Sequence, residues 1–514
     1  MSRDSLIPLL IQAGLGSLNR SRSPVQVLNG DLVDMESLTF EHDTWRKDGG
    51  AKKINTTEIS STPKVIMLHD FVADDGTQEL VAATSDGKFI TVGTGGIVKT
   101  LSTGHGTNKM TVAAEGSSGG TKGLYLVNGN IDMHVYTGGA SSAVISDKVA
   151  DWTTDKPEWM FQHESRMWVG GKKHTAYGSV ADTMQDFVNT GKQTFTIYPG
   201  EGEKLVGGIS WNGRAYFFKY PRGIYYLDDS DNDTAKWKMK RMSRYVGAAG
   251  PGCIVEAANE VFFLSPDGYI HALSAVQEFG DAKASAILPN EMGTFLREEL
   301  EFTLLNRTQS TFYATKRKVM FAATLLGDTD NKLIFGVDLH RFDAVQGFKS
   351  TRDVCTALSV RRDPTTKIEA PVIGDDVGFV RQWDTVARNV DGAGYSSSFT
   401  TRDVELFPNG TRRGNLRELE IEFAQSGNWK VDVDVIRDGV FSEKVSFTQS
   451  GAGATLGSFV LGTDVLGTDV LLNSRKTIKG DARRVKLEGS NDTADEDFSI
   501  ASETLKYTPG NDRI

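Results

Sequence analysis

Between about residue 50 and residue 396 the apolar positions fall in short runs of four to eight, separated by polar pairs and glycines. That spacing belongs to strand, turn, strand rather than to amphipathic helix. Four phrases share one grammar: "SDGKFITVG" (85–93), "VNGNIDMHVY" (127–136), "WNGRAYFFKY" (211–220) and "SPDGYIHAL" (265–273). Each sets a polar pair or glycine before four to six residues of half-buried strand, which is turn chemistry followed by burial at every second position. The runs "EVFFL" and "VMFAATLL" are almost wholly apolar and read as inner strands, whereas others alternate. Helical spacing is confined to "PNEMGTFLREELEF" (289–302), where Asn290 is placed to cap a short helix.

The phrases recur. Units at 63–100, 108–148, 157–200, 203–243, 252–288, 308–350 and 354–396 have the length, roughly 40 to 45 residues, of a four-stranded propeller blade. A lone four-stranded sheet is poorly stable, and stacking such sheets around an axis buries both faces and leaves short edges. The expected fold is therefore all-β: a β-propeller of about seven blades over 50–396, with six or eight allowed. Residues 1–49 show little strand pattern and read as an extended N-terminal arm. After the Gly/Ser-rich stretch at 391–400 the alternation becomes strict. Leu419, Ile421 and Phe423 share one face of a strand, and Val431, Val433 and Val435 share one face of the next; Gly427 supplies the turn between them and Asp438-Gly439 a second one. The two strands are expected to pair antiparallel within a β-sandwich over 397–514. The duplicated "LGTDVLGTDV" (461–470) reads as loop or irregular edge.

Composition narrows the class. With 54 glycines, 13 prolines and no apolar run long enough to cross a bilayer, the chain reads as turn-rich and soluble, without a membrane span. The apolar stretch Leu6–Ile11 is short and broken by Pro8, so no export signal is expected. Cys253 and Cys355 lack metal-ligand spacing and are expected to be buried free thiols. A formal net charge of −10 disfavours a protein that grips nucleic acid by neutralising phosphates, and suits a conduit better than a clamp.

Site motifs are few. Asp229, Asp231 and Asp233 are spaced like a calcium loop, but Thr234 and Lys240 stand where such a loop needs glycine and an acid. The glycine-rich stretches at 92–100 and 116–123 lack phosphate-loop spacing. Asp132, Asp267 and Asp376 are candidates for the carboxylates of a propeller glycosidase, although aspartate is common in turns. Trp429 reads as core, with a carbohydrate platform as the sharper alternative. No catalytic residue, cofactor or metal site is expected.

Three passages carry a resemblance. "GLGSLNRSRSPVQVLNGDLVDMESLTFEHDTWRKDGG" (14–50) is similar to the arm that precedes the first blade in the propeller-type tail hub or nozzle proteins of short-tailed bacteriophages, also described as tail tubular or DNA-stabilisation proteins. It departs from that pattern at Gly14-Leu15-Gly16 and at Ser37. "FQHESRMWVGGKKHTAYGSVADTMQDF" (161–187) and "GPGCIVEAANEVFFLSPDGYIHAL" (250–273) resemble the same family in the same order. The resemblance implies a structural virion protein, assembled in the host cytoplasm into a hexameric tail ring. Such a ring meets the head-to-tail adaptor or portal, carries tail spikes or fibres, and retains and ejects phage DNA without sequence-specific binding. Leu32, Met35, Leu38, Phe40 and Trp45 would then anchor the arm on a neighbouring subunit or adaptor. The rival reading is a carbohydrate-binding or glycoside-hydrolysing propeller, marked by carboxylates converging on an axial pocket.

Overall fold

The computed structural model describes residues 6–12, 18–20, 23–27, 31–41, 44–199, 203–279, 290–339, 346–363, 365–407, 412–424, 428–449 and 471–510. It is 55% strand and 8% helix, the all-β class that the alternation predicts. Seven antiparallel sheets follow one another along the chain, at 65–103, 112–144, 159–196, 204–243, 254–272, 309–350 and 357–385, six of them inside the corresponding repeat units and the first running three residues past its unit. Within the first six, neighbouring strands are consecutive in sequence. The fifth has three strands and runs into two helices, Leu273–Phe279 and Asn290–Glu299. The second of these is the helix expected from the sequence; the capping side chain of Asn290 lies outside the described residues.

The seventh sheet takes its fourth strand from the other end of the chain. Gly50–Lys53 lies antiparallel to Val380–Thr385, with Trp383 opposite Ala51. The first strand of each sheet touches the first strands of the sheets before and after it, and Ala357–Arg362 of the seventh touches Val65–Val72 of the first. Apolar layers lie between neighbours. Phe71 and Phe89 of the first sheet meet Leu124 and Tyr136 of the second, and Leu68 and Leu80 meet Val372 and Val380 of the seventh. Phe217 of the fourth sheet is edge-on to Trp159, Phe161 and Trp168 of the third at 6.2, 5.3 and 5.5 Å. Each such pair adds about 0.5–1.5 kcal/mol beyond the area it buries. The continuous apolar runs occupy second strands: "EVFFL" is Glu260–Leu264, and Lys318–Thr324 is buried at every position. A second strand has a partner on each edge and a sheet on each face, so alternation has no solvent side to follow.

The repeated phrases do not share one phase of the repeat. "WNGR" joins the first and second strands of the fourth sheet, with Asn212 at φ 47° and Gly213 at φ 69°, the left-handed pair of a tight hairpin. "SDGK" and "SPDGY" instead join second and third strands, as does "DDVGF" in the seventh sheet. In these three a side chain at the head of the turn holds it. Lys88 N donates to Thr84 Oγ1 (3.3 Å), Ser265 Oγ donates to Asp267 Oδ1, and Phe379 N donates to Asp375 Oδ1 (2.7 Å). Gly87, Gly268 and Gly378 supply the positive φ that each turn requires.

The remaining strands make two six-stranded sheets. One orders Leu38–Glu41, Thr44–Lys47, Ser499–Pro509, Gly414–Ala424 and Leu471–Ala482, with Ile7–Gln12 also on Ser499–Pro509. The other orders Leu32–Glu36, Ser397–Thr401, Arg484–Asn491, Trp429–Arg437 and Val440–Gln449, with Val404–Glu405 on Arg484–Asn491. The strands expected to pair, Gly414–Ala424 and Trp429–Arg437, belong to different sheets. Their apolar faces look at each other instead: Phe423 lies 4.3 Å from the Trp429 ring and 5.7 Å from that of Phe447. Leu419, Ile421, Phe423, Val431, Val433 and Val435 are all fully buried, so the facing was read correctly and the partner was not. Asp438-Gly439 does turn between Trp429–Arg437 and Val440–Gln449. Gly427 and 461–470 lie outside the described residues.

Ile7–Gln12, Leu32–Glu36, Leu38–Glu41 and Thr44–Lys47 are strands of these sheets, and Leu32, Met35, Leu38, Phe40 and Trp45 are spent inside this chain. All five are buried, between 0% and 7% exposed. Met35 sits opposite Phe399, Leu32 opposite Thr401, and Trp45 opposite Ile500, with the Phe40 and Trp45 rings 5.4 Å apart. The reason is backbone as much as side chain, because a strand joined to a six-stranded sheet pairs N–H and C=O groups that a lone arm leaves to water. Polar contacts follow the same segment. Lys349 Nζ meets Asp34 at 2.6 Å, and the buried Lys47 donates to Asn491 Oδ1 (2.6 Å) and Thr493 O (2.9 Å). Burial lowers the Lys47 ammonium to about 8.

Candidate functional site

Every one of the seven sheets contributes to one cavity of about 790 Å³. One place in the repeat recurs around its wall, the residue at or just before the start of each first strand, and the ends of second strands and the turns after them add Asn128, Tyr220 and Asp330. Lys64, Lys109, Glu158, Lys204, Pro251, Arg307 and Thr356 take that place in sheets one to seven. The first strands begin at Val65, Val112, Trp159, Lys204, Ile254, Gln309 and Ala357, so seven chain-distant side chains arrive together because the strands they introduce touch one another. Apolar patches from Ile66, Met110, Val206 and Leu304 and the amides of Asn108 and Asn306 complete the lining.

The charges are four cations, Lys64, Lys109, Lys204 and Arg307, against two carboxylates, Glu158 and Asp330. Lys64 is spent on Asp330, Nζ lying 2.7 Å from the carboxylate, and Arg307 Nη1 reaches Thr329 O at 3.3 Å. Lys109 and Lys204 are exposed and have no ion-pair or hydrogen-bond partner for their ammonium groups among the described residues. Gln309 is structural: its amide spans Ile66 O at 2.6 Å and Leu358 N at 3.0 Å, stitching sheets six, one and seven.

The carboxylates singled out in the sequence are elsewhere. Asp132 is held by Lys148 at 2.5 Å and Lys156 at 2.6 Å; burial works to raise its carboxyl, and the two ammonium groups hold it below the usual range. Asp267 accepts from Ser265 within its own turn, and Asp376 lies in the turn that Asp375 organises. Asp231 and Asp233 do not converge on an ion: each accepts a backbone N–H two residues on, from Asp233 and Ala235. Trp429 is core, 2% exposed. Cys253 and Cys355 are buried free thiols, and burial pushes the Cys253 thiol up to about 12.

A second constellation escaped the sequence. At the seam of sheets three and four His163 Nδ1 lies 2.8 Å from Ser210 Oγ and Nε2 lies 2.8 Å from Asp229 Oδ2, while Glu164 brings a carboxylate within 4.8 Å of both His163 and Asp229. Those three residues could hold a divalent cation; with the hydrogen bonds as they stand, the buried histidine cross-links two sheets. His105 and His134 likewise meet between the first and second sheets, ring centroids 4.6 Å apart, and burial first, then the neighbouring imidazole, lowers His134 to about 4. Separations of 29 to 66 residues hide both clusters from any local motif, and the phase of the repeat is the signal that could have found the cavity lining.

Neither the scan against protein-family models nor the search of curated proteins finds a match for this chain.

Proposed function

We infer that the chain is a structural subunit whose seven sheets form the blades of a β-propeller and whose two six-stranded sheets form a β-sandwich. Its role is that of a tail hub or nozzle protein in a short-tailed bacteriophage. The observation that carries this reading is that the strands Ile7–Gln12, Leu32–Glu36, Leu38–Glu41 and Thr44–Lys47 join both carboxy-terminal sheets while Gly50–Lys53 joins the outer edge of the seventh sheet. The two ends of the chain thereby lock each other, which suits a rigid wall that must resist deformation around packaged DNA. The ordered resemblance at 14–50, 161–187 and 250–273 supplies the virion context. The rival glycosidase has less to stand on: of the two carboxylates on the cavity wall one is paired with Lys64, and Asp132, Asp267 and Asp376 are not among the lining residues. Because the five expected arm anchors are inside, the surfaces that would join neighbours, adaptor and spikes are other ones.

Negative-stain electron microscopy of the purified protein, alone and with an adaptor, tests the reading. Six-fold rings support it; persistent monomers that turn over glycosides overturn it.

A further inference from the structure

We propose that the cavity shared by the seven sheets binds a small organic polyanion, a phosphorylated or polyphosphate molecule of about nucleotide size. The chain carries a formal net charge of −10, yet this concavity presents four cations against two carboxylates. A low-dielectric concave wall focuses such a field and concentrates anions of opposite sign. Among the described residues two of the cations are uncommitted. Lys109, in the segment before the second sheet, and Lys204, the first residue of the fourth, both line the cavity. Arg307 adds a planar fork from the sixth sheet, engaged through one nitrogen with a carbonyl.

Size and lining refine the ligand. A volume of about 790 Å³ sits within the range of small-molecule sites, and a DNA duplex, whose major groove alone is about 12 Å wide, does not enter it. Ile66, Met110, Val206 and Leu304 offer apolar surface beside the cations, and Asn108 and Asn306 offer amide donors and acceptors. An anion with a flat or apolar body uses both halves of that wall; inorganic phosphate uses only one. The inference stands on the cavity alone and does not depend on the virion reading, so a protein that forms no ring can still satisfy it.

The test is isothermal titration calorimetry of the intact protein at low ionic strength with ATP, pyrophosphate and adenosine. ATP is expected to bind, pyrophosphate more weakly, and adenosine, which lacks the charge, not measurably. The double variant Lys109→Ala/Lys204→Ala is expected to weaken ATP by at least about tenfold, since each lysine supplies a charge-assisted contact. Lys238→Ala, on the outer strand of the fourth sheet, is expected to leave it unchanged. Both lysines of the pair are exposed and unpartnered, so the variant is expected to melt with the parent. Absence of ATP binding at about 1 mM, the weak end of specific affinities, or a loss that is equal in the Lys238 variant, overturns the proposal.

Discussion

If the strand Gly50–Lys53 closes the seventh sheet, one methyl group at Gly50 is enough to pry it loose. A Cβ there would be jammed against the backbone carbonyls of Ala387 and Asn389 and would sit 2.7 Å from Asn389 N, all main-chain atoms that no rotamer change can move. The same backbone holds the strand, through Gly50 N to Ala387 O at 2.8 Å and Ala51 N to Asn389 O at 2.9 Å. Overpacking of this kind costs about 1–3 kcal/mol, and two weakened hydrogen bonds add about 1 kcal/mol each, so Gly50→Ala is expected to destabilise by about 3–5 kcal/mol. Gly93→Ala is the control: φ is −83° and nothing lies closer than 3.9 Å to the added carbon. Urea unfolding followed by tryptophan fluorescence reads both, with Trp383, 2% exposed and opposite Ala51, as a reporter at the closure. A Gly50→Ala midpoint indistinguishable from that of Gly93→Ala would refute the closure.

Three further outcomes are expected. Burial raises the Glu503 carboxyl from 4.5 to about 8, so the folded state keeps a proton that the unfolded state gives up, and stability falls as pH rises from 4.5 through 8. Glu503→Gln is expected to melt higher than the parent at pH 7, by up to about 3 kcal/mol, and to lose that slope; an unchanged slope in melts at pH 5 and 8 contradicts it. Lys47 works in the other direction: its folded value of about 8 lies below 10.5, so the unfolded state holds more protons between the two and stability rises with pH across that window. Lys47→Met is expected to flatten the alkaline limb, by up to about 3 kcal/mol, in melts at pH 8 and 10. At the seam of sheets three and four, His163→Ala and Asp229→Asn are expected to couple by more than about 0.5 kcal/mol in a double-mutant cycle; additive losses would mean that the 2.8 Å contact does not bind the sheets together.

Local chemistry made the strands and most of the turns legible. The alternation at Leu419, Ile421 and Phe423 states which face is inside, because burial follows the pleat. It does not say across which gap that face looks, and Gly414–Ala424 went to Leu471–Ala482 and Ser499–Pro509 rather than to its sequence neighbour. The same limit governs residues 32–47. Leu32, Met35, Leu38, Phe40 and Trp45 announce burial, but the strands that bury them, Ser397–Thr401 and Ser499–Pro509, lie more than 350 residues away, and apolar surface destined for a partner looks the same as surface destined for one's own core. The cavity was illegible for a different reason. Lys64, Lys109, Lys204 and Arg307 are ordinary cations far apart in sequence, and only the register of the repeat puts them in one place.

Closure by both ends also sets an order of events. Gly50–Lys53 cannot find its edge until Val380–Thr385 exists, and Thr44–Lys47 cannot be covered until Ser499–Pro509 is made, so these two strands complete their pairing only against parts of the chain more than 300 residues on. Contacts of such sequence separation pay loop-closure entropy before they return any stability, which makes folding slow. The six intervening sheets, from Val65 to Ser350, are built from neighbours in sequence and do not wait. A body whose middle forms locally and whose ends then cross to lock it resists opening at either end, because freeing one terminus also strips an edge strand from a sheet belonging to the other. That mechanical property is what the topology most directly provides.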